Sequence, residues 1–131
     1  MLRSHTISTA IKRSASDVYT YLAEPKNFPK WAAVVGPSFT QIGATDWLCE
    51  TAMGERVVRF CERNTFGVLD HAVFKRGDEP ITTPMRVIAN GEGCLVTYTF
   101  FQRPGTSDEQ FASTIEWITS DFLVLQSLLD R

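Results

Sequence analysis

The stretch SDEQFASTIEWITSDFLVLQSLLDR, at residues 107–131, decides the fold. Its apolar residues recur at steps of three and four with no glycine or proline between them, which aligns them along one arc of an α-helix. The arc comprises Phe111, Ile115, Ile118, Phe122, Leu125 and Leu129, widened on one flank by Trp117, Val124 and Leu128. Ser107 can cap the first turn, and Gln110 completes a capping-box spacing. We therefore predict one long helix over residues 107–131, with most of its circumference buried and a sheet as its cover.

Composition narrows the class of protein. The chain has 131 residues, 44% of them hydrophobic and 21% charged, so we expect a single domain over residues 1–131 with its own core. The net charge of -2 comes without a basic cluster, which argues against nucleic acid or a membrane surface as partner. No apolar run approaches the roughly 18 residues of a membrane helix. Three cysteines without CxxC spacing, and no leader-like segment before the first strand, favour the cytoplasm, while the oligomeric state stays open.

The chain before this helix reads as strands with two short helices after the first strand. Residues 2–12 alternate between apolar and polar side chains, as a half-buried strand does. Short helices are predicted between Ser14 and Pro25 and over residues 27–33. Six further strands are predicted at about 38–42, 47–53, 56–63, 67–75, 85–89 and 94–103. The turn residues between them indicate successive antiparallel hairpins.

Hairpin register assigns the faces of these strands. Two-residue turns at 54–55 and 64–65 would place Val58 opposite both Thr51 and His71, and Arg59 beside Asp70. The predicted inner face then carries Trp47, Cys49, Thr51, Val58, Phe60, Leu69, His71 and Val73, joined through a 90–93 loop by Met85, Val87, Val96, Tyr98 and Phe100. The outer face would carry a charge ladder of Glu50, Arg59 and Asp70, with Arg86 nearby.

Five segments of the chain resemble the SRPBCC superfamily, whose fold is called START-like or helix-grip. They are SASDVYTYLAEPKNFPKW (14–31), GVLDHAV (67–73), PMRVIANGEG (84–93), VTYTFFQRPGTSDEQF (96–111) and DFLVLQSLLD (121–130), and they are most similar to small bacterial polyketide cyclase/dehydrase-like members. The resemblance implies an α+β fold: a seven-stranded antiparallel sheet wrapped around the long C-terminal helix, with a hydrophobic cavity between them. It implies no single reaction, because the superfamily contains carriers, receptors and enzymes.

Two polar side chains stand out on the predicted inner face. His71 could exchange a hydrogen bond with a ligand, or it could be a core histidine bonded to a neighbour such as Tyr98. Tyr98 could orient a ligand carbonyl or hydroxyl, or be satisfied by the protein itself. The residues expected to line the cavity are His71, Tyr98, Trp47, Cys49, Phe60, Met85, Phe100, Ile118 and Phe122. Asp121 lies beside the apolar arc, where it could meet a residue of the cavity, but it is expected to pair with an arginine.

Catalytic and metal signatures are weak. His5 and His71 have no carboxylate at ligand spacing, so neither a metal nor another cofactor is predicted, and no catalytic residue can be named. The leading hypothesis is a module that binds a small hydrophobic or aromatic molecule, lipid or polyketide-like. The alternative is a polyketide cyclase/aromatase-type enzyme in which His71 and Tyr98 transfer protons. A third possibility is a scaffold whose cavity is filled by some of its nine phenylalanines.

Overall fold

A computed structural model describes residues 1–130, with the backbone alone at Val35; Arg131, at the end of the predicted helix, lies outside the described residues. The strands are β1 Ser4–Ile11, β2 Val35–Gln41, β3 Asp46–Thr51, β4 Gly54–Phe60, β5 His71–Phe74, β6 Met85–Asn90 and β7 Gly93–Phe101. The helices are α1 Ala15–Ala23, α2 Phe28–Trp31 and α3 Asp108–Leu129, with a 3₁₀ turn at Pro25–Asn27 before α2. The order of elements is the one predicted: a strand, two short helices, six strands and a long helix.

The seven expected strands are present, but they are divided between two antiparallel sheets. One sheet has the order β1-β7-β6 and the other β2-β3-β4-β5. Residues 67–71 join them, because the Leu69 amide donates to the Met85 carbonyl (2.8 Å) and the Val87 amide donates to the Gly67 carbonyl (3.0 Å). The predicted strand 67–75 therefore changes partner along its length, from β6 at its start to β4 at its end.

The junction between the two sheets lacks one bond of a regular ladder. The Met85 amide donates to Asp70 Oδ1 (3.0 Å) instead of the Leu69 carbonyl that an antiparallel pair would offer. On the same carboxylate, Asp70 Oδ1 accepts from Arg86 Nη1. An ion pair on the outer side of the sheet thus interrupts the backbone pairing.

The predicted register was wrong at the β3–β4 and β4–β5 connections. Thr51 pairs with Gly54 rather than with Val58, so the β3–β4 turn lies two residues earlier in the chain than predicted. The Thr51 hydroxyl closes this turn: it donates to the Gly54 carbonyl (2.9 Å) and accepts from the Met53 amide (3.1 Å). Between β4 and β5, the Asn64 side chain holds a loop instead of a two-residue turn; its Oδ1 accepts from the Val68 amide (3.1 Å). Val58 therefore lies opposite Val73, and Phe60, not Val58, opposite His71.

Both pairings are shifted from the predicted register by an even number of residues, so the side chains of these strands keep their predicted faces. The β6–β7 hairpin has the predicted register, with Met85 opposite Tyr98 and Val87 opposite Val96. The predicted charge ladder is wrong. Arg59 binds Asp46 through two hydrogen bonds (2.8 and 3.0 Å), and Asp70 pairs with Arg86 instead.

Helix α3 begins as predicted and is buried less than predicted. Ser107 Oγ accepts from the Gln110 amide (3.1 Å) and the Ser107 amide donates to Gln110 Oε1 (3.0 Å), which confirms the capping box. The side chains of Phe111, Phe122, Leu125 and Leu129 are buried. Leu123 and Val124, however, are 61% and 45% exposed, because β1 and α2 cover only one side of the helix.

Candidate functional site

A cavity of about 370 Å³ lies between the concave face of the sheet, the middle of α3, and α2 with the residues that follow it. The sheet strands β3 to β5 contribute Cys49, Thr51, Arg56, Val58, His71 and Val73, and β7 contributes Tyr98. Helix α3 contributes Thr114, Trp117, Ile118 and Asp121. The volume falls within the range of small-molecule sites, roughly 300 to 1,000 Å³. The aromatic side chains border this space without filling it.

The cavity opens beside the β3–β4 hairpin. Met53, in the hairpin turn, is 68% exposed, and Val73, in β5, is 46% exposed, although both line the cavity. Exposed apolar side chains at the mouth of an apolar cavity provide a surface that an entering hydrophobic molecule can cover.

His71 lies in the cavity wall with one ring nitrogen already bonded. Nδ1 is 3.0 Å from the carbonyl oxygen of Leu69, which is the acceptor that the sheet junction leaves free. This carbonyl, and not Tyr98, is the partner of Nδ1. Burial lowers the pKa of His71, so the ring is neutral near pH 7 and Nδ1 carries the proton. None of the described residues forms a hydrogen bond with Nε2. Because no fully buried side-chain nitrogen or oxygen in residues 1–130 lacks a partner, Nε2 must keep some accessible surface, where it can accept a hydrogen bond.

Tyr98 lies next to His71, with ring centroids 5.6 Å apart. Burial raises the pKa of the Tyr98 phenol, the Thr83 side chain opposes this by hydrogen bonding, and the charge of Asp121 raises it further. The phenol is therefore neutral near pH 7, and it lies close to the Asp121 carboxyl group.

Asp121 does not have the arginine partner that was predicted. Among the described residues, it forms no ion pair with an arginine, and its carboxyl group instead accepts a hydrogen bond from the Ala33 backbone amide. Burial raises the pKa of this carboxyl from 3.8 to about 6, because the single hydrogen bond only partly offsets desolvation. A side chain expected to pair with an arginine thus belongs to the cavity wall.

Arg56 is the charged cavity residue that the sequence did not lead us to expect. It lies opposite Cys49 in the β3–β4 pair, and its Nη1 donates to the Glu55 carbonyl oxygen (2.7 Å). The signal was available, since Arg56 precedes the inward-facing Val58 by two residues and therefore shares its face.

The nine predicted lining residues fall into three groups. His71, Tyr98, Cys49 and Ile118 line the large cavity. Phe60 and Met85 line a second cavity of about 20 Å³ behind His71, which has room for one water molecule. Trp47, Phe100 and Phe122 lie in the core, packed against Phe39 (4.9 Å), Phe111 (5.3 Å) and Trp31 (6.2 Å) between ring centroids.

Across residues 1–130, His, Cys, Asp and Glu side chains nowhere gather in the groups of three that could hold a metal ion. In the same part of the chain, none of the helices combines the length and the apolar character needed to cross a membrane.

Solved structures share this architecture from end to end. A START superfamily protein from Mycobacterium smegmatis is 8% identical with a TM-score of 0.70, and the match covers 97% of each chain. The Aha1 dimer from Colwellia psychrerythraea is 13% identical with a TM-score of 0.75, covering 98% of this chain and 97% of that one. An AHSA1-like protein from Rhizobium etli is 17% identical with a TM-score of 0.67, covering 99% and 83%.

At these identities the likeness establishes the fold alone, and it confirms the START-like, helix-grip fold predicted from the sequence. No protein-family model matches the chain, and no curated protein matches it.

Proposed function

We propose that this protein binds a small hydrophobic or aromatic molecule, lipid or polyketide-like, in the cavity between the sheet and α3. The cavity itself is the observation that supports the proposal. Its volume is about 370 Å³, and Val58, Trp117 and Ile118 give it apolar walls, so an apolar ligand that covers these walls removes apolar surface from water. The START-like fold is consistent with a ligand-binding domain.

The polar groups in the cavity define how such a ligand would be oriented. His71 Nε2 accepts a hydrogen bond, so a hydroxyl or N–H of the ligand is its partner. The Tyr98 phenol can donate to a carbonyl or ether oxygen at the same wall. Ligand-binding sites typically combine mainly apolar walls with a few polar groups that fix the orientation of the ligand.

Proton transfer by His71 and Tyr98 is the weaker alternative. The pKa of His71 is lowered and that of Tyr98 is raised, so both groups keep one protonation state across neutral pH, whereas a general acid or base works best with a pKa near the working pH. Asp121, with a pKa of about 6, is the observation that favours an enzyme of the cyclase type. Faster cyclisation of a linear poly-β-ketone than in buffer, lost in Asp121→Asn, would support that second function.

The binding proposal is tested by titration with neutral N-phenylnaphthylamine, whose fluorescence rises in apolar surroundings. Wild type is expected to bind one equivalent at micromolar concentration. Val73→Trp, which places an indole at the cavity mouth, should weaken binding about tenfold or more. Ile88→Trp is the matched control, since Ile88 is similarly exposed on β6 and does not line the cavity. A folded wild type that binds no probe would leave the filled-core scaffold as the better description.

A further inference from the structure

We propose that the ligand is a hydrophobic carboxylic acid, held at its charged end by Arg56 at the mouth of the cavity. This inference rests on the proposed function and names the chemical class of the ligand. Arg56 is the one arginine or lysine among the described residues that line this cavity.

Arg56 points to the concave side of β4. It lies opposite the buried Cys49, and both residues line the cavity. The positive charge of Arg56 lowers the pKa of the Cys49 thiol, against the larger raising effect of burial, which puts the guanidinium close to this wall. The residue is half-buried, so its charge is only partly solvated.

The protein supplies Arg56 with one hydrogen-bond acceptor, the Glu55 carbonyl at 2.7 Å from Nη1. A guanidinium has five N–H donors. Among the ion pairs of residues 1–130, Arg59, Arg76 and Arg86 each have a carboxylate, and Arg56 has none. The adjacent Glu55 carboxylate is occupied by Arg76 (3.2 Å).

Asp121, the acidic residue that lines the cavity, does not form an ion pair with Arg56. Asp121 lies at the α3 wall beside Ala33, and Arg56 is not among the groups that alter its pKa. The cavity therefore has ionisable groups in two places: the Arg56 guanidinium lies beside the β3–β4 hairpin, and the Asp121 carboxyl group lies on the α3 wall. The apolar residues Val58 and Ile118 line the same cavity.

A carboxylate fits the Arg56 end for two physical reasons. A planar guanidinium can donate two parallel hydrogen bonds to a planar carboxylate, which is stronger and more specific than a neutral contact. The exposed Met53 beside it shows that this end adjoins solvent, so the ligand charge stays partly hydrated and its desolvation cost is moderate. The apolar body would then extend inward, where His71 Nε2 can accept from a hydroxyl.

The test compares naphthylacetic acid with its methyl ester, which has the same ring and no charge. Binding is measured near neutral pH by isothermal titration calorimetry to wild type, Arg56→Gln and Arg59→Gln. Arg59 lies three residues along the same strand on the opposite face, so it controls for net charge. We expect wild type and Arg59→Gln to bind the acid about tenfold more tightly than the ester. Arg56→Gln should bind both alike, with the affinity for the ester unchanged.

The outcomes separate the two proposals. Equal affinities of wild type for acid and ester, or a preference for the acid that persists in Arg56→Gln, would overturn the inference and leave the binding function standing. Failure of wild type to bind either compound, together with failure to bind N-phenylnaphthylamine, would overturn both. An ester affinity that survives in Arg56→Gln also shows that this variant is folded.

Discussion

Replacing Asp121 with asparagine should stabilise the protein at neutral pH and change little near pH 4. The folded-state pKa of about 6 lies above the ordinary value of 3.8, so the folded protein binds the proton more tightly than the unfolded chain does. The stability that this proton contributes is complete below the unfolded value and is lost as the pH rises through 6. Asparagine cannot ionise, and its side-chain oxygen can still accept from the Ala33 amide.

The expected magnitude follows from the same two values. A pKa raised from 3.8 to about 6 corresponds to an upper limit of about 3 kcal/mol between the charged and neutral forms. Solvent reaches part of the carboxyl group and screens its charge, so we expect about 1 to 2 kcal/mol. Wild type should lose this much stability relative to Asp121→Asn between about pH 4 and pH 7.

Urea denaturation of both proteins across this pH range measures the effect directly. Asp78→Asn is a suitable control, because Asp78 is exposed in a turn on the surface. Parallel profiles of wild type and Asp121→Asn from acid to neutral pH would refute the reasoning, since they would mean that the carboxyl group gains no proton affinity on folding.

Three further predictions concern the helix and the thiols. Phe122→Ala should destabilise the protein by about 3 to 5 kcal/mol because the ring is buried, whereas Ser120→Ala should have little effect; equal urea midpoints would contradict this. Ser107→Ala should cost about 1 kcal/mol in the same assay through loss of the capping box, and an unchanged midpoint would count against it. Cys61 alone should react with a thiol reagent in the folded protein, and all three cysteines in urea; more than one native reactive thiol would be the wrong result.

The faces of the strands could be predicted from the sequence, whereas the pairings of β3 with β4 and of β4 with β5 could not. Face assignment depends on alternation, which survives any even error in register. Pairing depended on two side chains, Thr51 and Asn64, that redirect the backbone at a turn through their own hydrogen bonds. These bonds are local, between residues two to four apart, but they depend on hydroxyl and amide groups that a pattern of apolar and polar residues does not distinguish.

The cavity was predictable in outline and not in its charges. The alternation of apolar and polar residues, together with the turn at residues 90–93, predicted His71 and Tyr98 on the cavity wall, and both line the cavity. In the structure this turn has two residues, because Asn90 pairs with Gly93. The partner of Asp121 is a backbone amide at Ala33, which nothing in the sequence brings next to α3. Arg56 was overlooked although its spacing from Val58 was sufficient, because charged residues are usually assigned to the solvent side.

The hydrogen bond that is missing from the junction between the sheets connects a surface ion pair with a side chain of the cavity. Asp70, held by Arg86 on the convex surface, takes the Met85 amide, and the Leu69 carbonyl then accepts the His71 ring proton. A chain of contacts thus connects the Asp70–Arg86 ion pair on one side of the sheet with the His71 ring on the other. A substitution at Arg86, which does not line the cavity, would therefore reach the His71 ring through the backbone of the sheet.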